Sequence, residues 1–400
     1  MSTRIIATTL SSLLFSTAVM SGCVVNEADP VDETPNNPEN PQNPGDNIDQ
    51  ALLAEYRAAL PGSGQLMADA PESSSFSAAA VGDPAFYPTA SHDIVIGING
   101  AVSGIITVLE EVTALPPTVF NSDTKEFVWG PFPNDDGVGY VGAYIRDAGP
   151  DADFRFEYAF LRGVDNDLAN LVPVIWGGAT PDEDNEDHGV GVTLWDFEAS
   201  RDFELAHNPN ADELILDRGR FVALYAAGYD EQDPNAEVAF VLASFRDFIP
   251  ADNPEADAAD LDYFYGRVEG DNLTFDFIDW EASFDIDEPG DGLAEDVGVR
   301  MAFINEGAGR AEADVAGGSL ADGEEAAVTE CWNAGLSQSY LSYEYFADGV
   351  SSEFAEEGNS DDCGVFTASL SELGVPSLDD VDAELRAALD EAARNGIPTE

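Results

Sequence analysis

The chain reads as mainly β: an antiparallel meander forming a barrel or two packed sheets, with amphipathic helices near the N- and C-terminal ends. Three observations predict this. Beyond Lys125 the apolar residues alternate with polar ones or run together in short stretches. Gly, Asn, Asp and Pro separate these stretches at brief intervals. Helical spacing is confined to segments before and after them.

Taken from the N-terminus, residues 1–22 carry Arg4 and then an apolar run, IIATTLSSLLFSTAVM, too short for a membrane span and laid out as an export signal. MSGC, Met20 to Cys23, resembles the lipobox of bacterial lipoproteins, with small Ser21 and Gly22 before the cysteine and Met20 where Leu is usual. The resemblance implies that the chain is cut before Cys23 and that Cys23 carries lipid. It implies an outer-membrane location as well, because Val24 follows the cysteine in place of the Asp that retains many lipoproteins at the inner membrane. Residues 23–47 are rich in Pro, Asn and acids with few apolar groups, so they bury too little surface to order and read as a tether.

The segment 48–124 reads as helical and packed on the sheet. Ile48 to Leu60 has helical spacing and stops at Pro61 and Gly62, and Pro71 to Thr89 reads as a loop. Ser91 to Pro117 places Ile94, Ile98, Val102, Ile105, Ile106 and Leu109 along one side, with Ser91 or Asp93 as its cap and Pro116–Pro117 as its stop. Gly100 and Gly104 inside it would permit close backbone approach.

Residues 125–375 form the antiparallel β domain. Its strands are predicted at Val138–Arg146, Asp153–Gly163, Leu171–Gly178, Gly189–Phe197, Gly219–Gly228 and Ala236–Phe248. They continue at Leu261–Val268, Leu273–Glu281, Val297–Asn305, Gly309–Gly317, Ala326–Trp332 and Ser339–Phe346. Phe154, Phe156, Tyr158 and Phe160 share one face of their strand against Arg155 and Glu157, and Phe275 and Phe277 repeat the plan against Asp276. One face of the sheet is therefore expected dry and the other wet. In residues 376–400, Ser377 to Asn395 is the clearest helix, capped by Ser377, with Leu378, Val381, Leu385, Ala388 and Leu389 facing the sheet.

Charge bounds the partners. The 79 acidic residues against 15 Lys and Arg give a formal net charge of -64, the wrong sign for nucleic acid and for a polybasic membrane patch. Membrane contact is therefore expected through the N-terminal lipid alone. A field this negative opposes compaction unless salt screens it, so the surface reads as adapted to salty surroundings. Acidic runs such as DEDNED (Asp182 to Asp187) and NSDD (Asn359 to Asp362) offer oxygen ligands, but none has the spacing of an EF-hand loop. They predict nonspecific attraction of divalent cations and no metal site.

No nucleophile, phosphate-loop, dinucleotide or zinc-protease motif occurs, and His92, His188 and His207 lie in separate segments, so no cofactor and no enzyme activity are expected. With Cys23 lipidated, Cys331 and Cys363 remain as an even pair in an oxidising compartment and are predicted to form a disulfide. Trp129, Trp176, Trp195, Trp280 and Trp332 fall mostly at strand ends, where they pack a core or line the mouth of a ligand site. Lipobox, acidic tether and aromatic strands, VWGPF above all, resemble outer-membrane lipoproteins of environmental Gram-negative bacteria for which no activity is known.

The sequence thus predicts an exported, lipid-anchored, β-rich binding module whose ligand, unidentified, is a small apolar molecule. The alternative is a structural or protein-binding element of the cell envelope, and behind it a hydrolase of envelope polymers. A cavity lined by strand aromatics would favour the first, a filled interior the second, and a cleft with a desolvated carboxylate pair the third.

Overall fold

The computed structural model describes residues 49–68, 81–134, 138–182, 185, 188–211, 216–229, 237–251, 254, 258–268, 274–284, 292–305 and 307–396. The expected export signal, Cys23 and the tether lie outside these residues, as does most of the expected loop at 71–89.

Fifteen strands follow one another in a single antiparallel sheet, each paired with the next: β1 (Val119–Asn121), β2 (Glu126–Pro133), β3 (Tyr140–Asp147), β4 (Phe156–Gly163), β5 (Val172–Pro181), β6 (Gly189–Asp196), β7 (Arg218–Tyr229) and β8 (Glu237–Ile249). The series continues with β9 (Ala259–Val268), β10 (Phe275–Phe284), β11 (Glu295–Phe303), β12 (Gly309–Gly317), β13 (Glu324–Trp332), β14 (Gln338–Ala347) and β15 (Val350–Gly358). The meander is as predicted, but where a barrel or two packed sheets were expected the strands form one open sheet, since among the described residues β1 and β15 each pair with a single neighbour.

A helix covers the inner face of the sheet. α3 (Phe86–Ala114) follows α1 (Gln50–Arg57) and the single turn α2 (Ser63–Leu66). Its buried Val95, Ile98, Val102, Ile105, Ile106 and Leu109 join one core with inward side chains of strands from β2 to β13. Four contacts trace its course. The indole Nε1 of Trp280 on β10 donates to Ser91 Oγ at 3.1 Å, and a Cβ at Gly104 would lie 3.1 Å from the Trp195 ring on β6. At the ends, Glu330 on β13 meets the helix N-terminus, while Trp129 Nε1 on β2 donates to Leu115 O at 2.9 Å. At about 1.5 Å per residue the 29-residue helix is about 43 Å long, and β2 to β13 at about 4.8 Å per strand span about 53 Å. One helix can therefore line nearly the whole inner face.

Of the two glycines expected to allow close approach, Gly104 does so against Trp195, whereas Gly100 faces open space. The helix also begins earlier than the sequence suggests. Ser91 is buried inside it and serves Trp280, and the first turn opens at Phe86 with Pro88 where a missing N–H costs nothing. Neither Ser91 nor Asp93 caps it. Among the described residues α3 is long and apolar enough to cross a membrane, yet six of its side chains between Val95 and Leu109 are buried in the core against the sheet.

The expectation of one dry and one wet face needs correction. After β15 the chain returns across the outer face as a strap that starts at the 3-10 segment Ser360–Phe366, beside β12 to β14, and ends in α5 (Ala383–Asn395) over β7 and β8. Phe366, Leu370, Leu378, Leu385 and Leu389 pack there on Val222, Leu242, Phe264 and Phe277. Phe275 and Phe277 thus belong to the outer layer, and it is Ile278 and Trp280, in phase with Asp276, that face the helix. Phe154 likewise packs with the outer cluster, while Phe156, Tyr158 and Phe160 point inward. The strap's α-helix starts later than predicted: Ser377 caps a short 3-10 turn, and Asp382 caps α5.

A further helix, α4 (Phe197–His207), interrupts the strands and is capped by Asp196, whose Oδ1 accepts from Ala199 N at 2.8 Å. It turns Glu204 into a buried ion pair with Arg162. Basic side chains are spent on such seams. Arg220, Arg246, Arg300, Arg310, Arg386 and Arg394 all bond to the strap or join the carboxylates beneath it.

Candidate functional site

Three places were indicated by the sequence, and the structure puts them far from equal. The first is the aromatic inner face. Trp129, Trp280 and Trp332 are almost fully buried in it or at its ends; Trp332 donates to Gly307 O at 2.6 Å. Trp195 packs on the same core, and Trp176 packs against the outer cluster instead. The tryptophans therefore frame helix α3 and do not converge on one opening. A shallow crevice between the end of α1 and strands β5 to β7, lined by Ala59, Leu60, Gln65, Ala179, Val190 and Tyr225, is too narrow to hold even a water molecule. Sites for drug-sized ligands hold about 300–1,000 Å³.

The second is the cysteine pair. Cys331 on β13 is joined to Cys363 in the 3-10 segment, with Cα atoms 5.3 Å apart, and both are buried beside Tyr340. The bond fastens the start of the strap to the sheet. Its chemistry is that of a staple, and Cys23 lies outside the described residues.

The third is the acidic and histidine inventory. Four of the six residues of DEDNED lie outside the described residues, and in NSDD the Asn359 Oδ1 accepts from Asp361 N at 3.1 Å, capping the turn. His188 packs edge-on to Tyr229 and His207 lies against Phe203, while His92 sits on α3; the structure brings none of them together. Among the described residues no group of three or more His, Cys, Asp or Glu is arranged to hold a metal ion.

The polar groups that matter most were not singled out by the sequence. Glu330, fully buried on the inner face, accepts from the N–H groups of Phe86 and Tyr87, both at 2.9 Å, and from Gln338 Nε2 at 2.7 Å. Ala85, at the N-cap position of α3, offers no side-chain acceptor, so a strand 244 residues away supplies the cap. Burial pushes the Glu330 carboxyl above its ordinary range, opposed by those three donors. Nearby in kind, Asp276 on the inner face of β10 accepts from Arg267 Nε at 2.8 Å and from the Tyr265 hydroxyl at 3.2 Å. The phenol of Tyr263 is buried without a hydrogen-bond partner among the described residues, and burial, then Tyr265 and Asp276, hold it neutral.

On the opposite face of β10, Asp279 accepts from Leu378 N at 2.7 Å and so pins the middle of the strap. Burial pushes its carboxyl up to about 7, with the Leu378 N–H and Arg300 pulling the other way and Glu281 and Asp379 adding to the rise. Asp276 and Asp279 point to opposite sides of their strand, so these two buried carboxylates cannot act on one substrate.

The raised value has a signed consequence. A carboxyl that binds its proton more tightly folded than unfolded contributes most stability at low pH, and loses it as pH rises from about 4 through 7. Asp279→Asn, which keeps an oxygen for Leu378 N, is expected to raise stability by about 2 kcal/mol at pH 8 and by less than half of that at pH 5. Thermal melts of parent and variant at the two pH values check this. An equal shift at both, or a loss at pH 8, would refute it.

Compared with known proteins, the chain matches no family model, no curated protein and no solved structure.

Proposed function

We propose that this chain is a lipid-anchored element of the cell envelope, held at the outer membrane through Cys23, whose β body acts as a structural or protein-binding surface. The observation that supports this over a carrier is the filled inner face: helix α3 lies where an apolar ligand would sit in an open-mouthed barrel. The polar groups buried with it cap the helix or neutralise one another and do not line a cleft. Surface charge fits the same role. The cations are drawn into seams and the unbalanced acids remain outside, which suits a body standing in salty water clear of anionic headgroups.

Two measurements on the exported protein test the proposal. Cys23→Ser is expected to leave the membrane fraction and to escape the processing of the parent. The full chain, released from membranes in mild detergent, is expected to give a bare lipoprotein mass in native mass spectrometry, and organic extraction is expected to yield only the anchor's acyl chains. A variant that still sediments with membranes would remove the anchor from the account. A co-purifying apolar molecule of defined mass would make the chain a carrier.

A further inference from the structure

The two edges of the sheet are built differently. β1 has three residues and follows the Pro116–Pro117 pair, so it offers little backbone to another strand. β15 has nine residues, every one of them exposed, and among the described residues no strand pairs with its outer side. It is held in place by β14 through a two-residue turn in which Asp348 and Gly349 both have positive φ, 50° and 71°, the backbone that matches hairpin twist. A long edge of this kind, with alternate N–H and C=O groups directed outward, is a ready template for a further strand.

Its side chains define the strand it can accept. Glu353, Ala355 and Glu357 share one face of β15; Phe354 and Glu356 share the other, and Glu344 of β14 stands directly opposite Phe354. Phe354 is 57% and Val350 67% exposed, so apolar area is open beside the charges. A second copy pairing β15 against β15 would bring these carboxylates into line with their equivalents, between two bodies that each carry a formal charge of -64. The edge therefore repels its own kind and attracts cations.

We propose that the β15 edge binds an extended cationic segment of a partner protein as an added antiparallel strand. The segment presents Lys or Arg at alternate positions to Glu353 and Glu357, and an apolar side chain to Phe354. Main-chain hydrogen bonds supply affinity, and the charge pattern supplies selection and a fast, salt-sensitive approach. This inference rests on the reading of the chain as a protein-binding element, and it names the surface and the partner chemistry.

The test uses the full chain in mild detergent and a fluorescein-labelled peptide of alternating lysine and valine, matched in length to β15, titrated by anisotropy at low salt. Saturable binding is expected. N-methylation of alternate peptide amides, which keeps every charge but blocks strand pairing, is expected to weaken it by about tenfold or more. The triple variant Glu353→Gln, Glu356→Gln, Glu357→Gln, whose melting should match the parent's because all three residues are exposed and the amide oxygen at 356 still accepts from the Tyr340 hydroxyl, is expected to weaken it to a similar degree. Three outcomes would overturn the proposal: no saturable binding, equal binding of the N-methylated peptide, or undiminished binding to the triple variant. So would a concentration-dependent dimer of the parent in which the β15 amides become protected from hydrogen exchange, since the second copy would then be the occupant. An apolar molecule found by extraction would defeat the envelope-element reading and leave this titration unaffected.

Discussion

Glu330→Ala is expected to be the most damaging loss of a polar side chain from the inner layer, lowering stability by about 3 kcal/mol and the melting temperature by about 5 °C. The substitution removes no large apolar volume. It strands the amide groups of Phe86 and Tyr87 and the side-chain amide of Gln338, all of which converge on the carboxylate from within a closed site. An unsatisfied buried donor costs about 1–3 kcal/mol, and the helix dipole loses its counter-charge besides. Part of the loss is returned because burial already disfavours the charged carboxyl. Glu330→Gln should fall between parent and Glu330→Ala, since it keeps one acceptor oxygen but turns an amide toward other donors. Thermal melts of the three proteins decide the matter. A Glu330→Ala variant melting within a degree of the parent would mean that α3 does not depend on this cap.

Arg246→Ala should produce a comparable loss of about 2–4 kcal/mol, located in the outer layer. The guanidinium, with a side chain only 6% exposed, donates to Asp390 at 2.6 Å, to Asp262 at 2.7 Å and to the carbonyls of Phe245 and Leu261. It is the bolt between α5 and strands β8 and β9. Its removal leaves Asp262 and Asp390 facing one another with only Arg386 and Arg394 to offset them. Limited proteolysis should then cut first within residues 376–396, while the disulfide keeps the start of the strap attached. Arg394→Ala is the control: that side chain is 50% exposed, and its loss should cost about 1 kcal/mol or less. Equal resistance of parent and Arg246→Ala to cleavage would contradict the strap's dependence on this bolt.

The strands from β3 to β14 were legible because period-2 alternation and intervening turn residues agree over most of their length. β2 was not read as a strand, since Gly130 and Pro131 interrupt it and shift its register between Trp129 and Phe132. β15 was missed for a different reason: VSSEFAEEG has no buried face to impose an apolar pattern, so only the Asp348–Gly349 hairpin signal betrays it. α4 was hidden because its Asp196 cap ends one strand and starts the helix without a linker.

Which face a strand buries proved harder than whether it is a strand. In LTFDFIDW both phases are apolar, Phe275 and Phe277 on one and Ile278 and Trp280 on the other, and the choice depends on a strap that lies about 100 residues downstream. The same cause concealed Glu330. Read along β13 it falls in phase with Ala326, Val328 and Trp332, an acid on an apolar face, and that mismatch was the available signal for its partnership with a helix end. Local periodicity specifies the strands, whereas tertiary partners specify these buried charges.

Helix α3 is the core of the sheet and not a guest in an open cavity. Hydrogen exchange followed by mass spectrometry on the full chain tests this most directly, by comparing peptides from residues 86–114 with those from β7, β8 and β15. The α3 amides are expected to exchange as slowly as those of β7 and β8, through global unfolding alone, while β15 exchanges quickly along its outer edge. If α3 instead exchanged within seconds while β7 and β8 stayed protected, the helix would be leaving the inner face without unfolding the sheet. The interior would then be open to a ligand, and the chain would again be a carrier.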